Sequence, residues 1–131
     1  MSLTITISDT TGVGKVINTI DVLFQQESVR VRDIIEARVL KEVADYNNKT
    51  PEYFNGLVQP THAEKTLNGY RMKDRRKIDP EKQVYIALDA FQKNGYFILV
   101  DNKQVETLEQ QLQVSSSTNI RFVKLTPLVG G

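Results

Sequence analysis

The sequence predicts an α+β fold, a mixed and curled sheet of about four or five strands wrapped on one long helix. Three observations lead there. Apolar and polar residues alternate at Leu3, Ile5 and Ile7 and again at Ile20, Val22 and Phe24, which is the period of a half-buried strand. Between them, Asp9-Thr10-Thr11-Gly12-Val13-Gly14 is turn chemistry, so the two runs read as a hairpin. From Val31 the apolar residues Ile35, Val39, Val43 and Tyr46 recur at helical spacing, Tyr96–Val100 reads as a further strand, and alternation returns at Ile120–Leu125.

The elements follow in order. Ser28 is a candidate cap for the first helix. Arg32, Glu36, Arg38, Lys41 and Glu42 supply its wet face, and it ends near Asn47 or Asn48. From Lys49 to Asp79 the chain is punctuated by Pro51, Gly56, Pro60 and Gly69, with Tyr53, Phe54, Leu57, Val58, Leu67 and Tyr70 scattered through it. A loop of that length without structure of its own is uncommon in a compact domain, so this is an ordered insertion that packs part of its aromatics and can hold short helical turns. Asp79-Pro80 opens a second helix, with Asp as N-cap and Pro at the first helical position. Val84, Leu88 and Phe91 form its apolar face, and Gly95 stands where a C′ glycine belongs. After the strand at Tyr96–Val100, Asp101 to Gln104 make a turn and Val105 returns as a short strand. Thr107 to Val114 is a short connector that turns Leu108 and either Leu112 or Val114 inward, and Ser115 to Asn119 is a polar loop.

Bulk composition excludes several classes. The chain has 131 residues, one domain by length and enough to bury roughly two thirds of its unfolded surface without staples. With no Cys it has no disulfide, thiolate metal site or cysteine nucleophile, which fits a reducing compartment. The net charge of +1 gives no bulk argument for nucleic acid or a membrane surface. No apolar run is long enough to span a bilayer, and the N-terminus alternates where a signal peptide would be uniformly apolar. The expectation is a cytoplasmic protein in which the sequon Asn48-Lys49-Thr50 is idle.

Leu99-Val100-Asp101-Asn102-Lys103-Gln104-Val105-Glu106, then Thr107-Leu108, Ser116-Ser117-Thr118, a last strand and a closing Gly130-Gly131 form an ordered series. That order resembles the C-terminal third of ubiquitin, and Thr11-Gly12 stands at the corresponding hairpin turn. The resemblance covers the two flanks of the chain and omits the insertion at about 49–92. It implies a single ubiquitin-like domain over residues 1–131, of the β-grasp type, with the insertion before the third strand. The first and last strands would then be central and parallel. Pro127-Leu128-Val129 departs from the arginine-bearing tail of ubiquitin and looks more like that of sulfur carriers, such as the small subunit of molybdopterin synthase. The mixture is similar to bacterial ubiquitin-like proteins.

What the resemblance implies about function centres on Gly131. A partner similar to ubiquitin-activating enzymes would bind ATP and adenylate the Gly131 carboxyl. A conjugating enzyme would then pass the acyl group to a target amine as an isopeptide, and a deubiquitinase-like protease could reverse it. The chain would be the substrate of this chemistry, with no catalytic group and no cofactor of its own. Glycines suit the task, because a tail without Cβ atoms threads a narrow channel. Pro127, Leu128 and Val129 would be read as the tail is recognised. Two alternatives stay open: a sulfur carrier ending as a thiocarboxylate, and a ubiquitin-shaped binding module that is never activated.

Other candidates stand beside plainer readings. If Ile98, Val100, Ile120 and Phe122 face the core, Leu99 and Val123 face outward as a partner-binding patch, unless the insertion covers them. Thr10 stands where the ubiquitin patch has a leucine. Lys103 matches a lysine used in ubiquitin chains, and an ordinary turn lysine is its simpler reading. The basic run Arg71 to Lys77 could meet an acidic partner surface or phosphate, and a solvated face is its plainer reading. Gly12-Val13-Gly14-Lys15 is no phosphate loop, since Asp9 takes the place of the first glycine and Val16 that of the hydroxyl. His62 alone makes neither a metal set nor a triad.

Overall fold

The computed structural model describes residues 2–49, 53–54, 56–59, 63–66, 69–72, 77–125 and 128–129. It is an α+β protein with a mixed five-stranded sheet and two helices. In that sheet β1 (Leu3–Thr10), β2 (Val16–Phe24), β8 (Tyr96–Val100), β9 (Lys103–Gln104) and β11 (Ile120–Lys124) lie in the order β2-β1-β11-β8-β9. The β1–β11 pair is parallel and the other ladders are antiparallel. A parallel neighbour needs a crossover, and the whole chain between β1 and β11 supplies it.

Alternation decides the faces. Leu3, Ile5 and Ile7 of β1, Val22 and Phe24 of β2, Tyr96, Ile98 and Val100 of β8, and Ile120 and Phe122 of β11 are all buried. Helix α1 (Val31–Lys49) covers them with Ile34, Ile35, Val39, Val43 and Tyr46. Its start differs from expectation. Ser28 is not a cap but belongs to β3 (Ser28–Arg30), which pairs antiparallel with β10 (Gln111–Gln113). The Asp33 carboxylate accepts the Arg30 N–H at 2.8 Å, the acidic half of a capping box. The free amides of the first turn, Val31 and Arg32, donate to the carbonyls of Gln110 and Leu108. The connector therefore caps the helix and contributes a strand, which its polar sequence conceals.

Helix α2 (Pro80–Gln92) starts as expected, with the Asp79 carboxylate accepting the amides of Glu81 and Lys82. At its end the left-handed residue is Asn94, at φ 61°, and not Gly95. Gly95 N–H reaches Ala90 O and Asn94 N–H reaches Phe91 O, the paired bonds of a Schellman motif. The side-chain amide of Asn47 bonds both N–H and C=O of Ile78, fastening the end of α1 to the approach to α2. Phe91, Tyr96 and Phe122 carry the packing on from α2 through β8 to β11, with ring centroids 5.9 and 5.7 Å apart. The Tyr96 hydroxyl donates to Ala87 O at 2.7 Å.

The described parts of the inserted stretch include short strands, where the sequence left room for helical turns. β4 (Tyr53–Phe54), β6 (Ala63–Thr66) and β7 (Gly69–Met72) make a small antiparallel sheet in the order β4-β7-β6. Beside them β5 (Val58–Gln59) pairs in parallel with β12 (Leu128–Val129). Leu57 and Val58 are buried in the main core, so the insertion docks on the body at this point. Among the described residues, no helix is long and apolar enough to cross a membrane.

Candidate functional site

The elements that bear on function meet along β11. It lies third in the five-strand order, laddered to β1 on one side and β8 on the other, and the chain continues from it toward the tail. Its inward residues Ile120 and Phe122 are fully buried. Its outward residues Arg121 and Val123 stand opposite Leu99 and Phe97 of β8. The candidate patch residues Leu99 and Val123 thus share the outward face, half-buried, with Phe97 beside Val123. Phe97 escaped the sequence reading although its odd position in β8 puts it on the face of Leu99. Arg121 crosses this face, donating to the Asn102 side chain, while its buried Nε has no hydrogen-bond partner among the described residues. Thr10 pairs with Val123 and is buried, so it offers no exposed loop position. Lys103 is exposed on the edge strand β9, just past a turn in which Asp101 and Asn102 both hold positive φ. The turn itself is Asp101-Asn102, with Lys103 and Gln104 already paired to Val100 and Leu99.

The C-terminal end of β11 rests on a buried ionic cluster. Arg38, placed on the wet face by the sequence reading, is 0 % exposed, and Asp9 is 1 % exposed. The correction is geometric: Ile34, Arg38 and Glu42 recur every four residues, beside Ile35, Val39 and Val43, on the side that meets the sheet. Arg38 donates both terminal nitrogens to the Asp9 carboxylate, one of them at 2.6 Å to Oδ2. Its Nε meets Glu42 Oε1 at 3.2 Å, and its guanidinium lies 4.6 Å from the centroid of the Phe122 ring. Lys124 Nζ stands 3.4 Å from Asp9 Oδ2. Burial by itself would push the Asp9 carboxyl up. Arg38, Lys124 and the Asn18 amide outweigh that and hold it below the ordinary aspartate range. Burial lowers Lys124, against the pull of Asp9. Burial also drives the Tyr96 hydroxyl well above its usual value.

The same cluster holds the insertion. Glu42 Oε1 accepts the Leu57 N–H at 3.2 Å, and Lys124 Nζ donates to Gly56 O at 3.2 Å. The start of β5 is therefore pinned to α1 and to the last residue of β11. Beyond Leu125, the chain forms β12, with Leu128 registered on Val58 and Val129 on Gln59. The free, extended tail of the sequence reading is in this part a paired strand. Pro127, Gly130 and Gly131 lie outside the described residues, as do His62 and residues 73–76 of the basic run. Among the described residues, no group of three or more His, Cys, Asp or Glu side chains could hold a metal. No protein-family model, no curated protein and no solved structure matches this chain.

Proposed function

We propose that this chain is a ubiquitin-like protein modifier with the β-grasp arrangement, handed to other proteins through the carboxyl of Gly131. The reading takes Gly131 as the end of the working protein, whether encoded there or exposed by a peptidase. One observation carries it: β11, the last strand of the main sheet before the tail, is interior to that sheet, parallel to β1, with α1 over its inner face. An interior strand cannot leave without breaking two ladders, so it is a firm base for a tail that another protein handles.

The chemistry belongs to the partners. A Gly131 carboxylate oxygen attacks the α-phosphorus of ATP in the adenylating enzyme, pyrophosphate leaves, and an acyl-adenylate forms. A partner thiolate attacks the acyl carbon and expels AMP. A target amine then attacks the thioester, giving an isopeptide and returning the thiol; a protease of the deubiquitinase kind would hydrolyse that bond. The outward surface of Leu99, Phe97 and Val123 is the candidate contact for these partners, and Lys103 is exposed enough to accept a second copy.

The test is ATP–pyrophosphate exchange with the adenylating enzyme, on protein whose mature terminus has been established by intact mass. Exchange is expected, lost on deletion of Gly131 with the unfolding midpoint unchanged. Exchange by the deleted form, or none by a protein ending at Gly131, overturns the proposal. A product in which sulfur has replaced one carboxyl oxygen assigns the chain to sulfur transfer instead, the reading its apolar Pro127-Leu128-Val129 favours.

A further inference from the structure

The β5–β12 pair has a consequence for the timing of any reaction at Gly131. The two strands leave a common point. Lys124 closes β11, and its ammonium is bonded to the carbonyl of Gly56, two residues before Val58. Leu128 lies four residues beyond Lys124, and there β12 is registered in parallel on β5. β5 is also rigidly mounted. Leu57 and Val58 are each 2 % exposed, and the Leu57 amide is held by Glu42. The receiving strand is thus part of the core, whereas the donated one is registered on it over two residues. Backbone groups of Leu128 and Val129, immediately before the two glycines, are engaged within the chain. A strand edge already paired in this way cannot pair with a second protein along the same edge.

We infer that the Val58–Gln59 backbone is a docking site for the chain's own tail, and that β12 must leave it before another protein can engage the residues up to Gly131. The timing rests on the modifier reading above; the docking does not. The inserted stretch between α1 and α2 then has a role: it stores the tail. Release costs little, because the register spans two residues, and a partner that pairs with the tail more extensively displaces it.

Hydrogen exchange on the protein alone tests the docking. Amides donated across the β5–β12 pair are expected to exchange slowly in the intact chain. Truncation after Leu125 should speed whichever of the Val58 and Gln59 amides faces β12 by about tenfold, the weight of roughly one lost hydrogen bond. The double substitution L128P and V129P, which removes the tail N–H that donates to β5 and leaves the body untouched, should undock the tail and so give the same acceleration. Unchanged Val58 and Gln59 rates in both variants, or unprotected Leu128 and Val129 amides in the intact chain, overturn the inference. If the docking is seen and pyrophosphate exchange is not, the storage site stands and the modifier reading falls.

Discussion

Two ionic clusters of similar make-up occupy very different surroundings. Arg38, Asp9, Glu42 and Lys124 meet between α1 and the sheet, with the Arg38 and Asp9 side chains at 0 % and 1 % exposure. Arg30, Arg32, Asp33 and Glu109 meet where α1 begins, with Arg30 and Glu109 at 42 % and 60 %. Both have close contacts, the wet cluster reaching 2.8 Å. Their weight differs because water screens the second and not the first. In the dry cluster each charge has been desolvated, so losing one partner strands the others. The dry cluster also joins four parts of the chain, namely β1, α1, β11 and the insertion, whereas the wet one links a helix start to its connector.

This contrast can be broken or sharpened by experiment. The largest effect is expected from Arg38→Ala, which leaves Asp9 and Glu42 buried without their main cation. Urea unfolding should show a loss of about 3–5 kcal/mol. A loss as small as that of a surface pair would mean that water reaches the cluster. Acid comes next. Asp9 is held below the ordinary aspartate range, so its contribution is complete above about pH 4 and disappears as pH falls through its folded value. The unfolding midpoint should therefore be level near neutrality and fall on the acid side, with a shallower fall in Asp9→Asn. Equal acid slopes would show that other carboxylates carry the effect.

Tyr96→Phe removes the bond to Ala87 O at the junction of α2 and β8 while keeping the ring stack on Phe122. It should cost about 1 kcal/mol in the same assay. A loss above that of Arg38→Ala would place the main linchpin at α2 instead. The smallest effect is expected from Glu109→Ala in the wet cluster. The midpoint should scarcely move at moderate salt, with whatever difference exists shrinking further as salt is added. A large, salt-independent loss would show that the wet cluster, too, works as a buried one.

The same contrast explains what was legible. Periodicity located β1, β2, α1, α2 and β11, and a short apolar run located β8, because such patterns depend on neighbours in the chain. Asp79-Pro80 announced a helix start for the same reason: a cap is local chemistry. The central, parallel setting of β11 beside β1 was expected from the ubiquitin resemblance, and the sheet order has it. The faces of Leu99 and Val123 followed from alternation as well. Arg38 was misplaced although its spacing from Ile34 was available, because a charged residue on a helix is normally solvated. The Asn94 and Gly95 reversal has a local cause, since asparagine tolerates the left-handed region almost as a glycine does.

By itself, the order of residues determined the strands β1, β2, β8 and β11, the two helices, which side of each is apolar, and where α2 begins. Tertiary structure alone decided that Arg38 is dry, that the connector caps α1 and pairs with β3, and that the tail rests on the insertion. The physical reason is distance along the chain. A backbone edge accepts almost any strand brought to it, and a charge can be buried wherever an opposite charge arrives. Both therefore depend on partners that local pattern does not name.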